Sequence, residues 1–296
     1  ELTITGSNGD AFISEADAVE LQAISLGVGN TFSIDLAAAG SLTQAAAVAL
    51  ASGLNATLNN GAITLTNDQN DINAITGITL TTASAASSIT TQAGGAGNNL
   101  TVSGNINTGN QSLTLDLGTG LFTRNDGATI TNTGGLTITA DTVALGSTAD
   151  EINITGAVVL QPDTLNTTVS LSDSTGAFDV DATELEVING ANATLVTIGR
   201  TNGTGQVTVA TDAYDFVALT VAGGNVNVTG ALTTSTNTDL TLDGIGIDQL
   251  AGATINMGTG FVRFNAGAAA VTSAADALTI TTTNTADGGL TIDNAT

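Results

Sequence analysis

Apolar and polar residues alternate along this chain in short bursts. Leu136-Thr137-Ile138-Thr139, Ile152-Asn153-Ile154-Thr155 and Leu195-Val196-Thr197-Ile198 are each closed by Gly, Ala or Asn, and the same unit recurs from Leu2 to Ile292. From Ile78 onward the alternation is nearly unbroken, as in Ile78-Thr79-Leu80, Leu113-Thr114-Leu115, Val207-Thr208-Val209, Leu240-Thr241-Leu242 and Leu290-Thr291-Ile292. Successive side chains of a strand point to opposite faces, so the first and third residues of each burst share a dry face and the Thr or Asn between them a wet one. The pattern predicts half-buried strands.

The N-terminal part reads the same way, with Leu2-Thr3-Ile4-Thr5, then Asp10 to Val19 and Thr31 to Leu36, where Phe12, Ile34 and Leu36 are expected to face inward. Residues 37–60 leave room for an irregular or short helical insertion. Ala and Leu favour helix, and Leu42, Ala45, Ala46, Ala49 and Leu50 fall near a 3.6-residue period. The flanks favour strands instead, because Asn59-Asn60-Gly61 tolerates positive φ and Ile63-Thr64-Leu65-Thr66 resumes the two-residue alternation.

Spacing selects among all-β folds. The strands recur at irregular steps of roughly 8 to 20 residues and are separated by Gly, Asn and Ala instead of tight hairpin loops. A sandwich or barrel would need hairpin signals and an aromatic core, yet aromatics make up 3% of the chain. A parallel β-solenoid needs neither: small residues take the bends, and the narrow interior fills with Val, Ile, Leu and Ala. No single coil buries its own top and bottom, so stability comes from the stack, and end coils are open edges. The expectation is an elongated rod formed by one continuous β-solenoid over 1–296.

Composition narrows the function. The 296 residues hold 27 acidic and 3 basic side chains, for a net charge of -24. Nucleic acid and anionic membrane surfaces need clustered Lys or Arg, so both are excluded as partners. No apolar run reaches the roughly 18 residues of a spanning helix, so no membrane insertion is expected. Cys, His, Trp and Lys are absent, which removes disulfides, thiolate and imidazole chemistry, ordinary zinc centres, Schiff bases and P-loop lysines. The chain is read as a non-enzyme.

Carboxylates are the remaining chemical resource. Asp179, Asp181, Glu184 and Glu186 form the densest cluster, in which like-charge repulsion could raise a neighbour's pKa. Asn237-Thr238-Asp239 resembles the first element of some polysaccharide-cleaving β-helix enzymes, but the adjacent Asp-Asp pair and the His of those sites are missing, so a solvated acidic face is the default. For calcium, Gly94 to Leu100 resembles the nonapeptide calcium repeat with Asn99 in place of Asp. Asn67, Asp68, Asn70 and Asp71 share a bend without the Glu that closes an EF-hand. Asp68, Asp71, Asp179 and Asp181 are the weak calcium candidates, and no cofactor is otherwise expected. Thr-x-Thr pairs such as Thr137/Thr139 suit ice binding but are equally ordinary outward strand residues.

Residues 161–182, which include the chain's one proline, mark a departure from regular coiling and are read as a protruding loop. Pro162 and Asp163 there, with Tyr214, Phe216, Phe261 and Phe264, are the partner-contact candidates.

Several phrases also resemble a family. GSLTQAAAV, NNGAITLTNDQNDINAI, GGLTITADTVALG, ITGAVVLQP and LEVINGANATLVTIGRTNGTGQVTV closely resemble the repeats of filamentous-haemagglutinin-like giant bacterial exoproteins, over most of residues 10 to 230. The resemblance implies a right-handed parallel β-helix, export to the cell surface or beyond, and work as an adhesin or structural fibre; it carries no catalytic residues. On this reading the chain is a segment of a longer exported polypeptide, an extracellular filament protein that self-associates end-to-end or laterally. The alternative is an adhesin stalk or binding module that presents a glycan or host-receptor site, and a polysaccharide-cleaving enzyme ranks last.

Overall fold

The structure is a computed structural model that describes residues 1–6, 9–38, 40–50, 52–81, 85–92, 98–132, 134–234, 237–267, 271–273, 279–284 and 289–294. The chain is all-β: parallel strands stack coil upon coil as a β-solenoid of about 12 turns, with almost no helix. Two compact units divide it, Glu1–Gly156 and Ala157–Thr296.

Within the first unit each coil supplies short strands to parallel stacks. One stack runs through Ala11–Glu15, Phe32–Leu36, Leu54–Leu58, Ala74–Leu80, Ile106–Asn107, Ile130–Asn132 and Ile152–Ile154. Another joins Leu2–Gly6, Val19–Leu26, Val48–Leu50 and Asp71–Ile72, and a third joins Thr64–Leu65, Ser87–Thr90, Leu113–Asp116 and Gly135–Thr139. Side-chain hydrogen bonds between coils commonly join residues 21, 22 or 24 positions apart, as from Ala62 to Ser41, Leu121 to Asn99 and Ile63 to Ser87. The short steps seen in sequence are therefore the distances between faces of one coil.

Register explains the alternation. Ile34, Ala56, Ile78, Ile106, Ile130 and Ile152 stand one above another and are all buried, so each contributes to a continuous apolar column. A fully buried Ile contributes about 1.5–3 kcal/mol. Residues 37–60 join this stacking through Leu42–Gln44, Val48–Leu50 and Leu54–Leu58, and no helix forms among the described residues there. Burial of Leu42, Val48, Leu50, Leu54 and Leu58 outweighs the helix preference of the intervening alanines.

Phe12 departs from expectation. Ala11 pairs with Phe32 and Ile13 with Ile34, so the odd positions of this strand face the core while Phe12 pairs with Ser33 on the outside and is 73% exposed. A shift of one residue exchanges the two faces of a strand, and with Phe12 and Ile13 adjacent either could have been the inward residue.

The second unit repeats the plan. Val158, Val196, Leu219, Leu240 and Val262 form one buried column, and Leu160, Ile198, Val221, Leu242 and Phe264 form the next. One coil is enlarged: Arg200 Nη1 reaches the carbonyl of Pro162 at 3.3 Å across 38 residues. The extra length holds strands Val169–Leu171 and Phe178–Val180, paired in parallel with Val169 opposite Phe178. Parallel neighbours normally need a crossover of a dozen or more residues. Here the short return places Ser172 and Ser174 at φ of 58° and 57°, a left-handed conformation that costs an L-residue roughly 1–2 kcal/mol. Asp181 then caps helix Ala182–Glu186 through a reciprocal capping box with Glu184.

Corners are set by close backbone approach. A Cβ on Gly104 would overlap the carbonyl oxygen of Thr76 in the coil below, and one on Gly260 would overlap that of Thr238. The obstacle is backbone held in a ladder, which cannot swing aside as a side chain can. Gly104→Ala is expected to destabilise the chain by about 1–3 kcal/mol, whereas Gly127→Ala, with open space around its Cβ but φ of 86°, should cost no more than about 1–2 kcal/mol. Urea midpoints of the two variants check the ranking.

Candidate functional site

The residues singled out from sequence do not converge. Asp179 accepts a hydrogen bond from the Ser170 hydroxyl one strand away, and Asp181 accepts from the Glu184 amide at 2.9 Å as the helix cap. Two carboxylates of the densest cluster are thus engaged in holding the enlarged coil. Asp71 accepts from Asn98 Nδ2 at 3.1 Å, while Asp68 is exposed. Between them Asn70 is fully buried: its Nδ2 donates to Gln44 Oε1, Leu65 O and Thr90 O, and its Oδ1 accepts from Gln44 Nε2 and the Val48 amide. This bend is a peg between coils, with its amide saturated by protein. Among the described residues no group of three or more His, Cys, Asp or Glu is placed to hold a metal ion. The Gly94 to Leu100 motif lies outside the described residues through position 97.

The contact candidates are mostly interior. Pro162 is buried and Asp163 half-buried, with their carbonyls accepting from Arg200. Phe261 is half-buried, and Tyr214, Phe216 and Phe264 are no more than 2% exposed. These three cannot offer a ring to a partner in this fold. Tyr214 and Phe216 stack with centroids 6.2 Å apart and planes at 23°. Burial, helped by the nearby Asp212 carboxylate, raises the Tyr214 pKa, and the hydroxyl has no hydrogen-bond partner among the described residues. A cavity of about 10 Å³ beside it, bordered by Leu185, Glu186 and Asp215, has room for about one water molecule.

Sequence reasoning missed Arg124. Its side chain faces inward above Val102, is fully buried, and ties one coil to the next. Nε donates to Leu145 O at 2.7 Å, Nη1 to Ala128 O at 2.8 Å and to Asn125 O at 2.9 Å, and Nη1 also pairs with the Glu151 carboxylate. Asp126 lies 3.6 Å from Nη2. Its pKa is lowered chiefly by hydrogen bonds from the backbone and hydroxyl of Ser147, with a smaller contribution from Arg124. Asp243, by contrast, is raised by desolvation, opposed by the hydrogen bond from Asn265.

The remaining part-exposed apolar side chains lie on outer faces and on strands with one described neighbour. Strands Leu2–Gly6 and Ala11–Glu15 pair on one side only among the described residues, leaving Leu2, Ile4 and Ile13 half-buried. Glu1, Leu2, Ile13, Glu15, Ala18 and Val19 line a cavity of about 250 Å³ there. In the second unit Leu290–Asn294 likewise pairs on one side only among the described residues, with Leu290 40% and Ile292 51% exposed. No described helix is long and apolar enough to cross a membrane.

Architecture and register define the chain as a β-helix repeat protein, a β-solenoid. Comparison with protein-family models, with curated proteins and with solved structures finds no match.

Proposed function

We propose that the chain is a structural segment of a bacterial surface or extracellular fibre, akin to the filamentous-haemagglutinin-like exoproteins that its repeats resemble, and that it associates with further copies. The role is mechanical and not enzymatic. The observation that carries this reading is the coil-on-coil stacking of buried apolar columns, Ile34, Ala56, Ile78, Ile106, Ile130 and Ile152 in one unit and Val158, Val196, Leu219, Leu240 and Val262 in the other, an arrangement in which each coil is stabilised by its neighbours. An added coil would cover the apolar side chains beneath it at about 25 cal/mol per Å². The acidic composition fits the same role, because like charge on the outer faces disfavours sideways aggregation and leaves coil-on-coil stacking as the favoured contact.

The test is sedimentation velocity over a wide concentration range, beside negative-stain imaging. Oligomers or filaments that grow with concentration, and that disappear when Ile4→Lys and Ile13→Lys are combined, are the expected result. A wild-type chain that stays monomeric throughout, or association indifferent to the two lysines, would overturn the proposal.

A further inference from the structure

One outer face sets unbonded polar side chains beside an exposed aromatic ring. Across the solenoid, outward polar side chains commonly bond to their neighbours in the next coil: Asn265 donates to Asp243 at 2.8 Å, Thr272 to Asp248 at 2.9 Å and Asn98 to Asp71 at 3.1 Å. Around Phe12 they do not. Two rows cross four adjacent strands, Phe12-Ser33-Asn55-Gly77 and Ser14-Asp35-Thr57-Thr79. No hydrogen bond among the described residues engages the side chains of Ser14, Ser33, Asp35, Asn55 or Thr57. They line a shallow groove of about 290 Å³ with Phe12 standing at one end.

Its shape follows from residue size. Phe12 is the large member of its row and is 73% exposed, so its ring rises above Ser33 as a wall or platform. At the far end Gly77 has no side chain, and a Cβ there would stand only 3.1 Å from Asn55 Oδ1, so the groove runs out open. At about 4.8 Å between strands, four strands span about 14 Å. The volume is close to the roughly 300 Å³ at which small-molecule sites begin.

We infer that this groove is a binding site for a neutral saccharide, in which Phe12 stacks on the apolar face of one pyranose ring while Asp35, Asn55, Ser33 and Thr57 bond its hydroxyls. An aromatic face beside a dense set of free hydroxyl, amide and carboxylate groups matches a ligand that is apolar on one side and ringed with hydroxyls. Charge decides the type of sugar. Asp35 sits in the floor, none of the three arginines lines the groove, and the chain carries a net charge of -24, so sulfated, sialylated or uronic-acid glycans are repelled. A cationic ligand would use Phe12 and Asp35 but leave the amide and hydroxyls without a role. The inference stands on the groove alone and does not require edge pairing.

The experiment is saturation-transfer NMR on the whole chain with cellobiose, lactose and chitobiose, with choline and a hydrophobic peptide as competing probes. Binding of at least one disaccharide in the millimolar range is expected, with ring protons of one sugar saturated most strongly. Phe12→Ala should weaken it about tenfold and Asp35→Ala several-fold, while Ile245→Ala, an exposed apolar change in the other unit, should leave it unchanged. Phe12 is exposed and its removal opens no core, so circular dichroism and thermal midpoint should match wild type. Absence of transfer to all three disaccharides, affinity unchanged in Phe12→Ala, or capture of choline or the peptide in place of sugar would each overturn the inference.

Discussion

An Arg124→Ala chain should be about 3–5 kcal/mol less stable than wild type, the usual result of breaking a buried ion pair by deleting one partner. The guanidinium is fully buried, pairs with Glu151, and donates to the carbonyls of Leu145, Ala128 and Asn125. Truncation removes a donor from each of those carbonyls and leaves a carboxylate without its counter-charge. Glu151 keeps only its contact with the Gly127 amide, at 2.8 Å through Oε1. Because Leu145 and Glu151 lie on the coil after Arg124, the damage is to the junction between coils and not to one strand. Urea unfolding followed by far-UV circular dichroism gives the measurement. In Arg124→Met with Glu151→Gln, removing both charges should restore part of the loss, since the cost of an unpaired buried charge disappears. A single-mutant loss below about 1 kcal/mol, the range of an exposed pair, would contradict the buried network.

Phe264→Ala is expected to be comparably severe, at about 3–5 kcal/mol. Phe264 is 1% exposed and lies between Leu242 and Ile292 in the second unit's column, so its loss opens a cavity that strands locked in a ladder can close only in part. Phe261→Ala, at a half-buried position three residues earlier, should cost clearly less. The pair separates two roles that are indistinguishable from sequence. If both aromatics served a partner from the surface, both truncations would leave stability within about 0.5 kcal/mol of wild type. Unequal urea midpoints, with Phe264→Ala the lower, are the expected outcome.

The same comparison shows why the partner candidates were hard to place. Tyr214, Phe216 and Phe264 are contact candidates in the sequence as aromatic rings, but aromatic character says nothing about which side of the strand a ring occupies. Each occupies an inward position, where a large ring fills space that Leu or Val would otherwise leave. Phe12, the one strongly exposed aromatic among the described residues, was expected inside because a ring beside Ile13 reads as core. Its position is decided by pairing with Ser33 and by Ile13 meeting Ile34, a contact with a different coil. Arg124 shows the converse. A charge reads as solvent-facing, yet residue alternation from Phe122 puts it inside, where the carbonyls of a corner and Glu151 from the next coil receive it.

By itself the sequence determined the all-β class, the parallel coiling and most of the inward positions. Those follow from a two-residue apolar period and small residues at bends, which are local properties repeated many times over. Only the tertiary structure decided which carboxylates were engaged in capping and cross-coil bonds, how residues 161–186 add two strands and a capped helix to one coil, and which face sets unbonded polar groups beside an exposed ring. Apart from the local cap at Asp181, these outcomes depend on which residue lies across a strand or coil boundary, 9 positions away for Asp179 and Ser170 and 27 for Asp71 and Asn98. Register between coils is set by the packing of whole columns, so no short stretch of sequence contains it.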